Sequence, residues 1–120
     1  MTSADSSNFA GGTGPSQRAA RLREIEDRMR REIPDNLTNL RRLVRVLSEL
    51  PAAGVPAQRE ELGHAAHRLR GRAGMLQLAQ LCEAAACLEQ ASGGDVDALR
   101  LERLLEACQQ AYLTATHDEH

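Results

Sequence analysis

Residues 61–76 read ELGHAAHRLRGRAGML, and their apolar spacing is typical of a helix that lies in a helical bundle. Leucine and alanine recur at intervals of four, three, four and three residues, which places them within a narrow arc of an α-helix. The members of this arc are Leu62, Ala66, Leu69, Ala73 and Leu76. We therefore predict a core-facing helix from about residue 57 to residue 76.

The same helix places a histidine on the side that faces solvent. His67 lies about 140° from the apolar arc, and His64, Gly71 and Gly74 fall on its side. Arg70 lies at the flank, within side-chain reach of His67. A glycine in an exposed helix interior costs about 1 kcal/mol relative to alanine, so Gly71 needs a reason. We predict that another molecule approaches the helix closely beside the imidazole.

Four further helical patterns accompany this helix. The first begins near Ser16, a predicted N-cap, and is expected to break or kink at Pro34. The second covers about residues 37–50, the next about residues 78–92, and the last about residues 96–116, with Asp95 or Asp97 as its predicted cap.

Short connections between amphipathic helices make sequence neighbours antiparallel. The sequence therefore predicts an all-α fold, an up-down antiparallel four-helix bundle with an additional N-terminal helix. Residues 1–15, which are rich in Ser, Gly and Thr, are predicted to be a flexible tail or linker. The bundle is expected to span residues 16–116, followed by a frayed C-terminal end at residues 117–120.

The composition argues against several classes of function. All 15 basic residues are arginine, which excludes sites that need a P-loop or Schiff-base lysine. A net charge of −2 and 2% aromatic residues argue against nucleic-acid binding. No apolar run approaches the roughly 20 residues needed to cross a bilayer, so we expect a cytoplasmic protein without direct membrane insertion. The cysteines form no CxxC pair and are predicted to be free, core or half-buried fillers, namely Cys82, Cys87 and Cys108.

The outward histidine opens a motif that continues into the next predicted helix. The motif consists of His67-Arg68-Leu69-Arg70-Gly71, then Ala73, Leu76, Leu81 and Leu88-Glu89. It resembles the histidine-containing phosphotransfer (HPt) domain, whose pattern is His-x-Leu-Lys/Arg-Gly followed by spaced small and leucine positions. By helix order the resemblance covers about residues 32–115. The chain departs from the family at Arg72, commonly a small residue, and at Gln77, commonly glycine, so the turn there is expected to differ.

The resemblance implies a phosphorelay intermediate rather than an enzyme with turnover of its own. His67 is then expected to accept a phosphoryl group from an aspartate of a receiver domain and to pass it to another receiver. Arg70 is expected to stabilise the phosphoryl group, and Glu89 to orient the imidazole through a hydrogen bond. Partner docking is predicted for His64, Arg68, Gly71, Arg72 and Gly74. Arginine at positions 68, 70 and 72 favours an acidic partner surface.

The resemblance also implies partners and the absence of cofactors. Response-regulator receiver domains and a hybrid sensor histidine kinase are the expected partners, and Mg²⁺ is expected on the receiver. No metal site is predicted here, because His64 and His67 lack a third ligand on their face. A monomer is expected, since a receiver docks most easily on one. The chain is interpreted either as a free-standing protein or as the end of a hybrid kinase, and both directions of phosphoryl flow fit the motif.

Two other functions fit the same sequence. One is an interaction module of the same fold that binds a receiver or kinase without being phosphorylated, so that binding survives His67→Gln. The other is a plain helical adaptor or dimerisation domain, in which Gly71→Ala stabilises the helix and leaves partner binding unchanged.

Overall fold

The computed structural model describes residues 15–50, 56–94 and 97–118, and within them the chain forms four helices and no strand. The helices are α1 (Pro15–Ser48), α2 (Pro56–Met75), α3 (Ala79–Ser92) and α4 (Ala98–Asp118). The predicted all-α bundle is confirmed. Residues 1–14 of the predicted tail and residues 119–120 of the predicted frayed end lie outside the described residues, whereas residues 117 and 118 belong to α4.

A single helix, α1, replaces the two helices that the sequence predicts before residue 50. Pro34 lies inside α1, so the predicted separate N-terminal helix is wrong and is instead the first part of α1. An interior proline removes one backbone hydrogen bond and costs about 3 kcal/mol. Ile33 and Leu37 are both buried beside it on the core face. Burial of two large aliphatic side chains contributes roughly 3–6 kcal/mol, enough to offset that cost.

The four helices form a closed ring, because each helix packs against its two neighbours, α4 against α1 included. Leucine and alanine supply most of the core between them. The five apolar positions of the helix predicted over residues 57–76 are all buried: Leu62, Ala66, Leu69, Ala73 and Leu76. The alanines on this face allow the neighbouring helices to approach α2 closely. The orientation of α2 is thereby fixed, with its opposite side in solvent.

Contacts between α2 and α3 run in opposite chain directions. Gly63 near the start of α2 faces Ser92 at the end of α3, while Gly74 near the end of α2 faces Cys82 near the start of α3. Residue numbers therefore rise along one helix as they fall along the other. The two helices are antiparallel, as the short connection predicts.

The turn between α2 and α3 occupies residues 76–78 and contains a strained residue. Gln77 has a φ of 60°, in the left-handed region that favours glycine. The Leu78 amide donates to the Ala73 carbonyl oxygen at 2.8 Å, and the Gln77 amide donates to that of Gly74 at 3.1 Å. This pair of hydrogen bonds is the Schellman motif, which caps the C-terminus of many helices. The turn thus has the backbone conformation that glycine favours, and the departure from glycine leaves strain at Gln77.

An aspartate caps the start of α4. The Arg100 amide donates to Asp97 Oδ1 at 2.9 Å, which satisfies one of the free amides of the first turn. Of the two predicted caps, Asp97 is the one used, and Asp95 lies outside the described residues. In the described part of the chain, no helix is long and apolar enough to span a membrane.

Candidate functional site

The solvent side of α2 carries a row of exposed residues, His64, His67, Gly71 and Gly74, which we call the His67 face. The His67 side chain is 63% exposed, so a partner can reach its ring. A Cβ added to Gly71 meets nothing within 4 Å. Packing against the described residues therefore does not require glycine at this position. The predicted outward direction of the His67 face agrees with its exposure.

Glu89 of α3 connects two side chains of α2 through its two carboxylate oxygens. His67 Nδ1 lies 2.9 Å from Glu89 Oε2, and Arg70 Nη1 donates to Glu89 Oε1 at 2.8 Å. The Glu89 side chain is 27% exposed, less than either of its partners. The structure thus brings together the three residues that the sequence predicts as phosphoryl acceptor, stabiliser and orienting group.

The contact with Glu89 indicates which imidazole nitrogen of His67 carries the proton and which one keeps its lone pair. An ionised carboxylate only accepts hydrogen bonds, so the nitrogen of His67 that faces Glu89 carries the proton. In the neutral ring the proton is then on Nδ1, and Nε2 keeps its lone pair. The ion pair with Arg70 holds the Glu89 carboxylate in place. The arrangement presents an exposed imidazole whose Nε2 can act as a nucleophile.

Arg72 is not brought together with His67, although the sequence predicts it for the docking surface. Its Nε donates to Glu32 Oε1 at 3.0 Å and its Nη1 donates to Asn36 Oδ1 at 2.8 Å, both on α1. The side chain is only 26% exposed. Five residues along a helix correspond to a rotation of about 140°, which turns Arg72 from the His67 face toward α1. Arg68 and His64, by contrast, are exposed.

The comparison with protein-family models matches residues 19–114 to the Hpt domain. The chain belongs to the Hpt domain family. The match includes all of α2 and α3, and therefore His67, Arg70 and Glu89. Hpt domains are helical phosphocarriers of two-component phosphorelays, and this chain is a histidine phosphotransfer domain. The comparisons with curated proteins and with solved structures gave no match.

In this Hpt domain, a close contact that sequence reasoning missed lies next to the site. Ser92 is 4% exposed, and its Oγ donates to the Glu89 carbonyl oxygen at 2.6 Å. A Cβ added to Gly63 would lie 2.7 Å from Ser92 Oγ. The available signal was a glycine inside a helix, four residues before the histidine.

The three cysteines of the Hpt domain are free and lie in different environments. Cys108 is buried and Cys82 is half-buried, as predicted, whereas Cys87 is exposed and the prediction for it is wrong. Its position on α3 turns it outward, one residue before the buried Leu88. Burial, followed by the nearby Cys87, raises the pKa of the Cys108 thiol from 9.0 to about 12. Cys108 therefore stays a neutral thiol at physiological pH.

A metal centre is not formed by the described residues. Within residues 15–50, 56–94 and 97–118, no group of three or more His, Cys, Asp or Glu side chains has an arrangement that could hold a metal ion. The ion pairs at the His67 site are those of Glu89 with His67 and with Arg70.

Proposed function

We propose that this Hpt domain is a phosphorelay intermediate that accepts a phosphoryl group on Nε2 of His67 from a receiver aspartate and transfers it to another receiver aspartate. The observation that carries the proposal is the exposed His67 ring whose Nδ1 bonds to Glu89 at 2.9 Å. That bond leaves Nε2 as the nitrogen with a free lone pair.

The transfer step needs only a nucleophile and a good leaving group. The Nε2 lone pair attacks the phosphorus of an aspartyl phosphate, and the bond between phosphorus and the carboxylate oxygen breaks. The electron pair leaves with the receiver's carboxylate. The proton on Nδ1 stays in place, so the phosphorylated ring carries a positive charge that faces the Glu89 carboxylate. The reverse step passes the phosphoryl group to the next receiver.

Arg70 is proposed to stabilise the phosphoryl group. Arg70 lies three residues after His67, which places the two side chains on neighbouring turns of α2. A guanidinium has five N–H donors, and the bond to Glu89 occupies one of them. The remaining donors can contact phosphoryl oxygens with charge-assisted hydrogen bonds.

The His67 face is proposed as the docking surface for the receiver. Gly71 removes a side chain beside the imidazole, and the exposed Arg68 adds a positive charge that favours an acidic partner surface. We propose one receiver bound to one copy of this domain in the cytoplasm, with a hybrid sensor histidine kinase as the upstream partner. The Mg²⁺ needed for aspartate chemistry is proposed to belong to the receiver, with no cofactor supplied by this chain.

The test is phosphoryl uptake from phosphorylated receiver domains, followed as acid-labile, base-stable label on the bundle. We expect uptake by the wild type and no uptake by His67→Gln. His117→Gln is the matched control, since His117 is an exposed histidine on the separate helix α4. Label retained on His67→Gln but lost on His64→Gln would assign the acceptor to His64 and contradict the proposal.

A further inference from the structure

We propose that Gly63 and Ser92 are positioning residues, whose close contact holds Glu89 within hydrogen-bonding distance of His67. The inference rests on the proposed function of His67 and deepens it, because it states what sets the orientation of the acceptor ring. Neither residue touches the imidazole. They act through the spacing of α2 and α3.

The two contacts lie one helical turn apart. Gly63 precedes His67 by four residues on α2, and Ser92 follows Glu89 by three residues on α3. Because the helices are antiparallel, the contact of Gly63 with Ser92 is about 5 Å along the helix axes from the bond of His67 with Glu89. A change in helix separation at one contact is therefore transmitted to the other.

Ser92 has a fixed position in this contact. It is 4% exposed, and its hydroxyl donates to the Glu89 carbonyl oxygen at 2.6 Å. Rotation of the hydroxyl away from Gly63 breaks that bond and leaves a buried polar group to be satisfied elsewhere. The 2.7 Å between the hydroxyl and an added Cβ is shorter than side-chain carbons tolerate, so only glycine fits at position 63 with the present helix spacing and the present Ser92 rotamer.

The bond of His67 with Glu89 is sensitive to that spacing. A Cβ at position 63 needs several tenths of an ångström more room between the helices. In the wild-type structure His67 Nδ1 lies 2.9 Å from Glu89 Oε2. Hydrogen bonds lose most of their strength as the heavy-atom distance passes 3.5 Å. Arg70 lies on α2 with His67, so a wider spacing also lengthens its ion pair with Glu89.

The experiment compares Gly63→Ala with the double variant Gly63→Ala/Ser92→Ala. A Cβ at position 63 lies 3.8 Å from Ser92 Cβ, an ordinary contact, so the double variant restores the fit without the hydroxyl. The readout is the ¹⁵N chemical shifts of the neutral His67 ring, which show which nitrogen carries the proton. We expect Nδ1–H in the wild type, its loss in Gly63→Ala, and its return in the double variant.

Phosphoryl uptake from a phosphorylated receiver gives the second readout. We expect Gly63→Ala to slow phosphoryl uptake about tenfold, because His67 loses its hydrogen bond to a charged group. We expect the double variant to regain the wild-type rate. Leu105→Ala, a core truncation in α4, is the control for general destabilisation and keeps Nδ1–H on His67. Should Gly63→Ala not fold, Ser92→Cys places a larger atom against Gly63 and is expected to lose Nδ1–H in the same way.

The proposal is overturned if Gly63→Ala keeps the Nδ1–H form, because the side chain at position 92 then rotates without moving the helices. Where Gly63→Ala does not fold, the same result with Ser92→Cys overturns it. It is also overturned if the double variant fails to restore that form. The ring signature does not require phosphotransfer. A wild type that takes up no phosphoryl group therefore contradicts the proposed function while the ¹⁵N shifts still decide the role of Gly63 and Ser92.

Discussion

His67 of α2 and Glu89 of α3 form a hydrogen bond between the two helices, with 2.9 Å between Nδ1 and Oε2. The second carboxylate oxygen is held by Arg70 of α2 at 2.8 Å. One carboxylate thus orients the imidazole and places a cation beside it. The proposed phosphoryl transfer through Nε2 depends on this pairing.

Two substitutions of Glu89 separate its charge from its hydrogen bond. Glu89→Gln keeps an oxygen that accepts from His67 Nδ1, but neutral hydrogen bonds have roughly half the strength of charged ones. Glu89→Ala removes the acceptor and is expected to slow phosphoryl uptake about tenfold, with Glu89→Gln intermediate. Glu83→Ala, which removes an exposed carboxylate from α3, is the control and keeps the wild-type rate. Equal rates for all four proteins contradict a role for Glu89.

Gly71→Ala is expected to have opposite effects on stability and on binding. A Cβ at this position meets nothing within 4 Å, so the free energy of unfolding rises by about 1 kcal/mol, the difference between the helix propensities of alanine and glycine. The added methyl group lies on the His67 face and weakens receiver binding. Denaturant unfolding and a titration with a receiver domain measure the two effects. Binding that stays at wild-type strength favours the plain adaptor instead.

Gln77→Gly is expected to stabilise the domain by about 1 kcal/mol. A residue other than glycine at a φ of 60° carries steric strain, and the strain relieved exceeds the greater freedom that glycine gives the unfolded chain. Gln80→Gly in α3 is the control, and it lowers the free energy of unfolding by a similar amount because its backbone is helical. A loss of stability in both variants contradicts the left-handed conformation at Gln77.

The buried thiol of Cys108 makes stability depend on pH in the alkaline range. Its pKa is raised from 9.0 to about 12 by burial and by Cys87, so the folded state keeps a proton that the unfolded state releases. This contribution is fully present below pH 9 and is lost as the pH rises toward 12, at up to roughly 1.4 kcal/mol per pH unit. Denaturant unfolding between these pH values measures the slope. In Cys108→Ala the part due to the thiol disappears, and an unchanged slope contradicts the assignment.

The spacing of apolar residues along the sequence is enough to predict most of the fold. The intervals that place Leu62 and Leu69 inward also place His67 outward, and the structure agrees at each position. The predicted break of the helix at Pro34 is wrong, because local sequence indicates the cost of an interior proline but not the burial of Ile33 and Leu37 that offsets it. A helix continues through a proline where the free energy gained by burying the side chains on both sides exceeds the cost of the lost hydrogen bond.

The candidate site was predictable only as far as the motif extends. The role of Glu89 follows only from the family pattern, because residue spacing within one helix does not indicate which side chain of another helix lies opposite. The same limit applies to Arg72, which is predicted for the docking surface but bonds to Glu32 of α1. It also explains why Gly63 and Ser92 were missed, because their contact exists only once α2 and α3 are packed.

Phosphoryl transfer to Nε2 of His67 is tested by locating the phosphoryl group on the domain by NMR. The domain is phosphorylated by a phosphorylated receiver, and ³¹P and ¹H–¹⁵N spectra identify the nitrogen bonded to phosphorus. We expect the phosphoryl group on Nε2 of His67, with the proton retained on Nδ1 beside Glu89. A phosphoryl group on Nδ1 of His67, or on any other residue, would contradict it.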